Sequence, residues 1–192
     1  MNLILRLLIV LATAMFRGPL GLDDTSRVQL RVLPNDLDLN LHMNNGRYLT
    51  VMDLGRIDFL IRAGSPRLFL RNRWQPLIGG TIIRYRFGLH AFKKFEVATR
   101  ILCWDEKWFY FEQRVESSQG VAAIALSKAL VRDRTGTVSP DSVLRLVGIA
   151  AERPDTTLSV SRWLAAEDML HIGEITPDPC SARADRSEDR SL

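Results

Sequence analysis

From Thr81 to Val131 the chain carries four strand-like segments in succession, which commits it to an antiparallel sheet that something must cover. Ile83, Tyr85 and Phe87 alternate with Arg84 and Arg86; Phe95, Val97, Thr99, Ile101 and Cys103 form the next face. Phe109, Phe111, Gln113 and Val115 then alternate with Tyr110, Glu112, Arg114 and Glu116, a period of two that half-buried strands need. Val121 to Val131 is apolar on both sides, as a strand with two neighbours would be. Asp105-Glu106-Lys107 and Ser117 to Gly120 are short enough to join the last three as neighbours. Upstream, Arg27 to Val32 alternates as a first strand closed by Pro34, and Tyr48, Leu49, Met52, Ile57, Leu60 and Ile61 recur at helical spacing until Gly64-Ser65-Pro66. Thr50, Asp53, Asp58 and Arg62 interrupt that helix, and Gly55 in its middle costs about 1 kcal/mol against alanine, which predicts close packing on the sheet. Strand, long helix and antiparallel meander together give an α+β domain.

The 192 residues fit one such domain, assigned to 21–176 with short helices from Ser139 to Leu146 and Ser161 to Ile172. Residues 177–192 are too polar to fold. A formal charge of +4 is spread without a long basic block or a nucleic-acid motif, so a nucleic-acid partner is not expected. Cys103 and Cys180 match neither a disulfide framework nor a metal-ligand spacing, which points to a reducing, cytoplasmic setting. Residues 1–20 read as an amphipathic helix: Asn2, Arg6, Thr13 and Arg17 fall within about 60° of one another at about 100° per residue, leaving a wide apolar face. The apolar core from Leu7 to Ala12 also has the look of a signal peptide, but between Arg6 and Arg17 it is too short for a comfortable membrane span. Peripheral membrane contact and packing on the domain remain open for the apolar face.

Between first strand and helix lies Asn35 to Leu49, "NDLDLNLHMNNGRYL". Asp36, Asp38 and Asn40 at alternate positions suggest a calcium loop, but its sixth and twelfth positions hold Leu41 and Arg47 instead of glycine and glutamate. No metal site is expected. Each polar residue taken alone reads as a turn or cap residue, and His42 as a hydrogen-bonded structural histidine.

Taken together, Asp38-x-Asn40-x-His42-x-Asn44-Asn45-x-x-Tyr48 resembles the strand-loop-helix signature of hotdog-fold acyl-CoA thioesterases of the 4-hydroxybenzoyl-CoA thioesterase class. "D-x-D-x-x-x-HMNN-x-R-Y-L" is similar to the proteins like thioesterase superfamily member 6, and the likeness runs from about Arg27 to Ser139. This resemblance implies a sheet wrapped around the long helix, a homodimer with sheets joined edge to edge, acyl-CoA as substrate, no cofactor beyond the coenzyme A of that substrate, and Asp38 as catalytic carboxylate. Many relatives carry glycine where this chain has Leu41.

The chemistry suits these residue types. Thioester hydrolysis needs a nucleophile or a base for water, and donors for the developing oxyanion. Asp38 can supply the first, and N–H groups near Asn45 and Gly46, at the start of a helix, the second. His42, Asn44, Asn45, Gly46 and Tyr48 are assigned to the substrate-binding loop; Gly80 and Thr81, beside Gly79, would let a backbone approach the thioester. Met52, Phe59, Ile83 and Tyr85 would line an acyl tunnel. Two rivals stand beside this reading. Hotdog enoyl-CoA hydratases set histidine five residues after aspartate, whereas Asp38 and His42 are four apart; the other rival is a non-catalytic acyl- or lipid-binding protein held at a membrane by residues 1–20.

Overall fold

A computed structural model describes residues 3–64 and 66–169. The elements of the first unit are α1 (Leu3–Phe16), β1 (Ser26–Arg31), a single 3-10 turn (Pro34–Asp36), α2 (Asn45–Arg62), α3 (Pro66–Asn72), β2 (Gln75–Tyr85), β3 (Lys94–Trp104), β4 (Phe109–Ser117), β5 (Gly120–Arg132), β6 (Thr137–Val138) and α4 (Pro140–Val147). A second unit, from Leu158, contributes α5 (Leu158–Glu167). The helix expected from Ser161 to Ile172 thus starts three residues earlier, at Leu158, and ends at Glu167, with a turn at 168–169; residues 170–172 and the tail 177–192 lie outside the described residues.

The antiparallel sheet has the order β1-β3-β4-β5-β2, with the short β6 beside β5. The hairpins at Trp104↔Phe109 and Ser117↔Gly120 are those the short turns imply. A simple meander is nevertheless corrected at β2, which pairs with β5 and not with its sequence neighbour β3. β3 already has β1 on its other edge, and residues 86–93 are an anchored crossover: Met43 N–H donates to the Leu89 carbonyl at 2.8 Å and Val32 N–H to that of Lys93 at 3.0 Å. Phe87, expected on the strand, belongs to this crossover.

α2 packs on β1, β3 and β4. Its first half enters a core with Met43, Tyr48, Val51, Met52, Phe95, Val97 and Val115, and its second half, through Phe59, a core with Trp74, Trp104, Phe109 and Phe111. Gly55 is the point of closest approach, as expected: a Cβ there would stand 2.6 Å from Thr99 Oγ1 and 2.8 Å from Val97 Cγ1. Only glycine lets this helix sit so low on the sheet.

α1 packs on α2 with Arg6 inward and Thr13 exposed. Arg6, Val10 and Ala14, at four-residue intervals, are the buried positions. Arg6 binds Asp36, and Arg17 binds Asp58, a fully buried carboxylate that also accepts the Ser26 hydroxyl at 2.6 Å. Of the two places open to the apolar helix, α1 takes packing on the domain for its Arg6, Val10 and Ala14 side. Ser139 caps α4 by accepting the Ser142 N–H, and Gly148 ends it at φ +86°.

Candidate functional site

Asp36, Asp38 and Asn44 organise the loop before α2. Asp36, inward-facing and buried, accepts the Leu33 N–H at 2.9 Å through Oδ2, while its carbonyl accepts the Asn44 N–H at 2.8 Å. Asn44 then caps α2, its Oδ1 taking the Gly46 N–H at 2.9 Å. Asp38 closes the turn between them: its N–H donates to the His42 carbonyl at 2.8 Å, and its Oδ1 accepts the N–H groups of Asn40 at 2.8 Å and His42 at 3.3 Å. Its Oδ2 makes no hydrogen bond among the described residues. One oxygen is thus fixed by the backbone, and the second is left at a half-buried surface.

The helix start sits beside that oxygen's loop, but its two candidate donors differ. The Gly46 N–H is engaged by Asn44, whereas the Asn45 N–H, first of α2, has no acceptor among the described residues. Tyr85, expected in an acyl tunnel, instead holds this helix end, its hydroxyl donating to the Asn45 carbonyl at 3.0 Å. Tyr48 stacks edge-on against it at 5.2 Å and is almost wholly buried, its hydroxyl 3.5 Å from the Phe87 carbonyl. Burial pushes both phenols above their ordinary pKa. His42 lies against His90, ring centroids 4.3 Å apart, and against Gly88, where a Cβ would stand 2.5 Å from the imidazole Cδ2.

Gly80 and Thr81 lie on β2, in another neighbourhood. The Thr81 hydroxyl pairs with that of Ser127 at 2.9 Å, and Ser127 in turn is 3.5 Å from the Arg56 guanidinium. Arg56 is buried on the sheet side of α2, bonded to Gln113 and Asp53; Gln113 donates onward to the Met52 carbonyl at 2.7 Å and to Thr99 at 2.9 Å. Gly79 does not expose backbone to a ligand. The Trp108 ring covers it, 2.2 Å from where a Cβ would be, and the β2 register shifts there. The polar network escaped the sequence reading, although a lone Gln113 on the face shared by Phe109, Phe111 and Val115 was its visible trace.

A cavity of about 370 Å³ opens at this network. Ile57, Phe59, Leu60, Phe69, Ile78 and Phe111 are among its apolar walls, with Asp53 and Arg56 as its charged lining. That size and character suit an apolar ligand with one polar end. Of the four residues expected to line a tunnel, only Phe59 does so; Met52 is sealed in the core with Ile83 packed against it. Neither Asp38 nor His42 lines the cavity. Along α2, Asn45 and Asp53, the first residue of the helix to line the cavity, are separated by about 12 Å at 1.5 Å per residue. Among the described residues no cluster of His, Cys, Asp and Glu is placed to hold a metal ion.

Residues 32–164 match the family model of the thioesterase-like superfamily. The chain is 36% identical over 140 residues to protein THEM6 of Xenopus laevis and 37% over 136 to that of Danio rerio; these matches cover 71% and 70% of this chain and 66% of either relative. The matched part thus falls just short of two thirds of those relatives. A probable thioesterase of Saccharomyces cerevisiae, YBR096W, is 27% identical over 62% of this chain and 54% of its own length. Among solved structures, the YbaW probable thioesterase of Escherichia coli superposes with a TM-score of 0.58 at 22% identity, over 63% of this chain and 94% of that one. SAV2348 of Staphylococcus aureus, solved in complex with CoA, does so with a TM-score of 0.59 at 15% identity, over 83% and 100%.

Proposed function

The chain belongs to the thioesterase-like superfamily and has its hotdog fold, and from that premise we propose that it hydrolyses an acyl-CoA thioester to the free acid and coenzyme A. The observation that carries the proposal is the divided carboxylate of Asp38, with Oδ1 held by two loop amides and Oδ2 without a hydrogen bond among the described residues, in the loop that leads into α2. Oδ2 either takes a proton from water as the water oxygen bonds to the thioester carbon, or bonds to that carbon itself to give an anhydride that water then opens. In both routes the C–S bond breaks, and the thiolate takes up the proton that water gives up, from Asp38 in the first route and on opening of the anhydride in the second. The Asn45 N–H, at the positive end of α2, faces the developing oxyanion. Asn44, Gly46 and His42 keep the loop in register around it. The reaction so written draws on no metal or prosthetic group.

The acyl chain belongs in the apolar cavity, with Gly80 and Thr81 near its polar mouth. About 12 Å of helix lies between Asn45, at the end of the reactive loop, and Asp53, where the cavity begins, within one protomer, and a homodimer resolves this. β2 has an open outer edge with Leu77, Ile78 and Ile82 exposed, which is a liability for a lone chain. Two β2 edges paired antiparallel turn the second α2 end for end, so the loop of one protomer approaches the cavity half of its partner. We place the enzyme in the cytoplasm, in peripheral contact with a membrane through α1. A relative bearing the name probable thioesterase and a fold neighbour bound to CoA support this reading.

The test is thiol release from short, long and aromatic acyl-CoA substrates by the wild type and Asp38→Asn of verified fold. Turnover that vanishes with Asp38 while acyl-CoA affinity persists is the expected result. Absence of thiol release by the wild type, with acyl-CoA or lipid still bound, replaces the enzyme with a binding protein.

A further inference from the structure

α1 turns the usual arrangement of an amphipathic helix inside out. Arg6, in its first turns, and Arg17, the residue after its end, reach into the domain. The Arg6 guanidinium meets both carboxylate oxygens of Asp36, at 3.2 and 2.5 Å, and the Arg31 carbonyl at 3.1 Å. The side chains of this pair are only 4% and 2% exposed. Arg17 reaches Asp58 Oδ1 at 3.3 Å and the Arg27 carbonyl at 2.8 Å. Rolling the helix to hide its apolar side would break both ion pairs and strand Asp36 without its buried partner, which fixes the orientation. Ile4, Leu5, Leu8, Ile9, Met15 and Phe16 are consequently held outward, Phe16 at 92% exposure.

What covers such a face must be apolar and, by charge, anionic at its edge. Arg31 and Lys94 line the cleft beside Ile9, while the two carboxylates in that cleft, Glu96 and Glu116, are already paired with Arg27. No described helix is long and apolar enough to cross a membrane, so α1 meets a bilayer lying flat. We propose that α1 docks the domain on an anionic lipid surface, with the six outward apolar side chains in the acyl boundary and Arg31 and Lys94 on lipid phosphates. The proposal gives the membrane contact suggested above a face, an orientation and a lipid class. Asp36 is two residues from Asp38, so the Arg6 clamp ties the reactive loop to the docked helix, where the acyl groups of membrane lipids are made and consumed.

Flotation of the full chain with vesicles of phosphatidylcholine, alone or mixed equally with phosphatidylglycerol, tests this without reference to hydrolysis, so the docking and the thioesterase reading fail separately. The wild type is expected to float with the mixed vesicles and far less with phosphatidylcholine alone. Ile4→Glu with Leu8→Glu, both at exposed positions and checked for unchanged thermal unfolding, should abolish flotation. Arg31→Glu and Lys94→Glu should each weaken it about fivefold or more, since one basic residue near an anionic surface contributes about that factor. A wild type that floats with neither vesicle overturns the proposal. So does flotation untouched by the α1 substitutions, or light scattering in which those substitutions split a larger assembly of a chain that ignores lipid, because α1 would then cover a second copy.

Discussion

Three described turns are built on an aspartate whose Oδ1 accepts the N–H two residues on, at Asp38, Asp105 and Asp133, and the first two differ in what meets the second oxygen. In the β3–β4 hairpin, Asp105 Oδ1 accepts the N–H groups of Lys107 and Trp108, both at 2.7 Å, and Oδ2 accepts the Tyr110 hydroxyl at 2.6 Å. In the loop before α2, Asp38 Oδ1 accepts two N–H groups in the same manner, but nothing described fills Oδ2. The local motif is the same; the third partner is not. A carboxylate with both oxygens engaged is a fastener, whereas one with a single oxygen engaged is oriented and still has a lone pair to use. The setting adds to the contrast, since Asp38 stands beside a helix N-terminus and Asp105 between two strands.

The largest effect should come from exchanging the two carboxylates for amides one at a time. Asp38→Asn keeps an oxygen for the Asn40 and His42 amides but removes the proposed base or nucleophile, so kcat should fall by about 10² to 10⁴-fold with little change in melting temperature. Asp105→Asn should leave thiol release as it is. The contrast collapses if Asp105→Asn costs as much activity as Asp38→Asn, for then both would act through folding.

Stability should show the reverse order. Burial pushes the Asp105 carboxyl up, but the Tyr110 hydroxyl and the amides of Lys107 and Trp108 outweigh it and hold it below the usual carboxylate range. A folded pKa lower than the unfolded one contributes stability that is complete above the unfolded value, about 4, and is lost as pH falls through the folded value. Asp105→Asn removes a hydrogen bond to a charged group, a loss of about 1.5–3 kcal/mol at neutral pH. It should also flatten the decline in stability below about pH 4, measured by urea unfolding at several pH values. An unaltered acid limb would mean that other carboxylates govern it.

Both turns were legible because their bonds run between residues two to five apart, and the strands and α2 were legible for the same reason of local period. What escaped was long-range. The place of β2 beside β5 depends on which edge is vacant, not on the segment itself. α3 escaped because Pro66 both stops α2's pattern and starts another helix, a role that proline's fixed φ allows. The helical period of α1 is legible, but the direction Arg6 and Arg17 take is not, since their partners Asp36 and Asp58 lie 30 and 41 residues away. The cavity is the extreme case. Its walls are gathered from α2, α3, α4 and four strands, so Met52, Ile83 and Tyr85 had as good a claim in sequence as Phe59. Asp38 itself emerged from the resemblance; the residues around it gave only a turn.

The smallest effect separates the two turns by strain. Leu41, at the tip of the Asp38 loop, has φ +59°, a left-handed conformation that costs a side-chain-bearing residue about 1–2 kcal/mol. No residue of the Asp105 turn has positive φ. Leu41 is largely exposed, so its side chain returns little by burial. Glycine adopts this conformation freely but loses more freedom on folding, which takes back about 0.5–1 kcal/mol. Leu41→Gly should therefore raise stability by only about half a kcal/mol in urea unfolding, with kcat unchanged because the amides on Asp38 stay where they are. A fall in kcat together with that rise would mean that the strained leucine holds Asp38 in its working position. The absence of glycine where many relatives carry it would then be a feature of catalysis, and the two turns would differ in strain as well as in the spare oxygen.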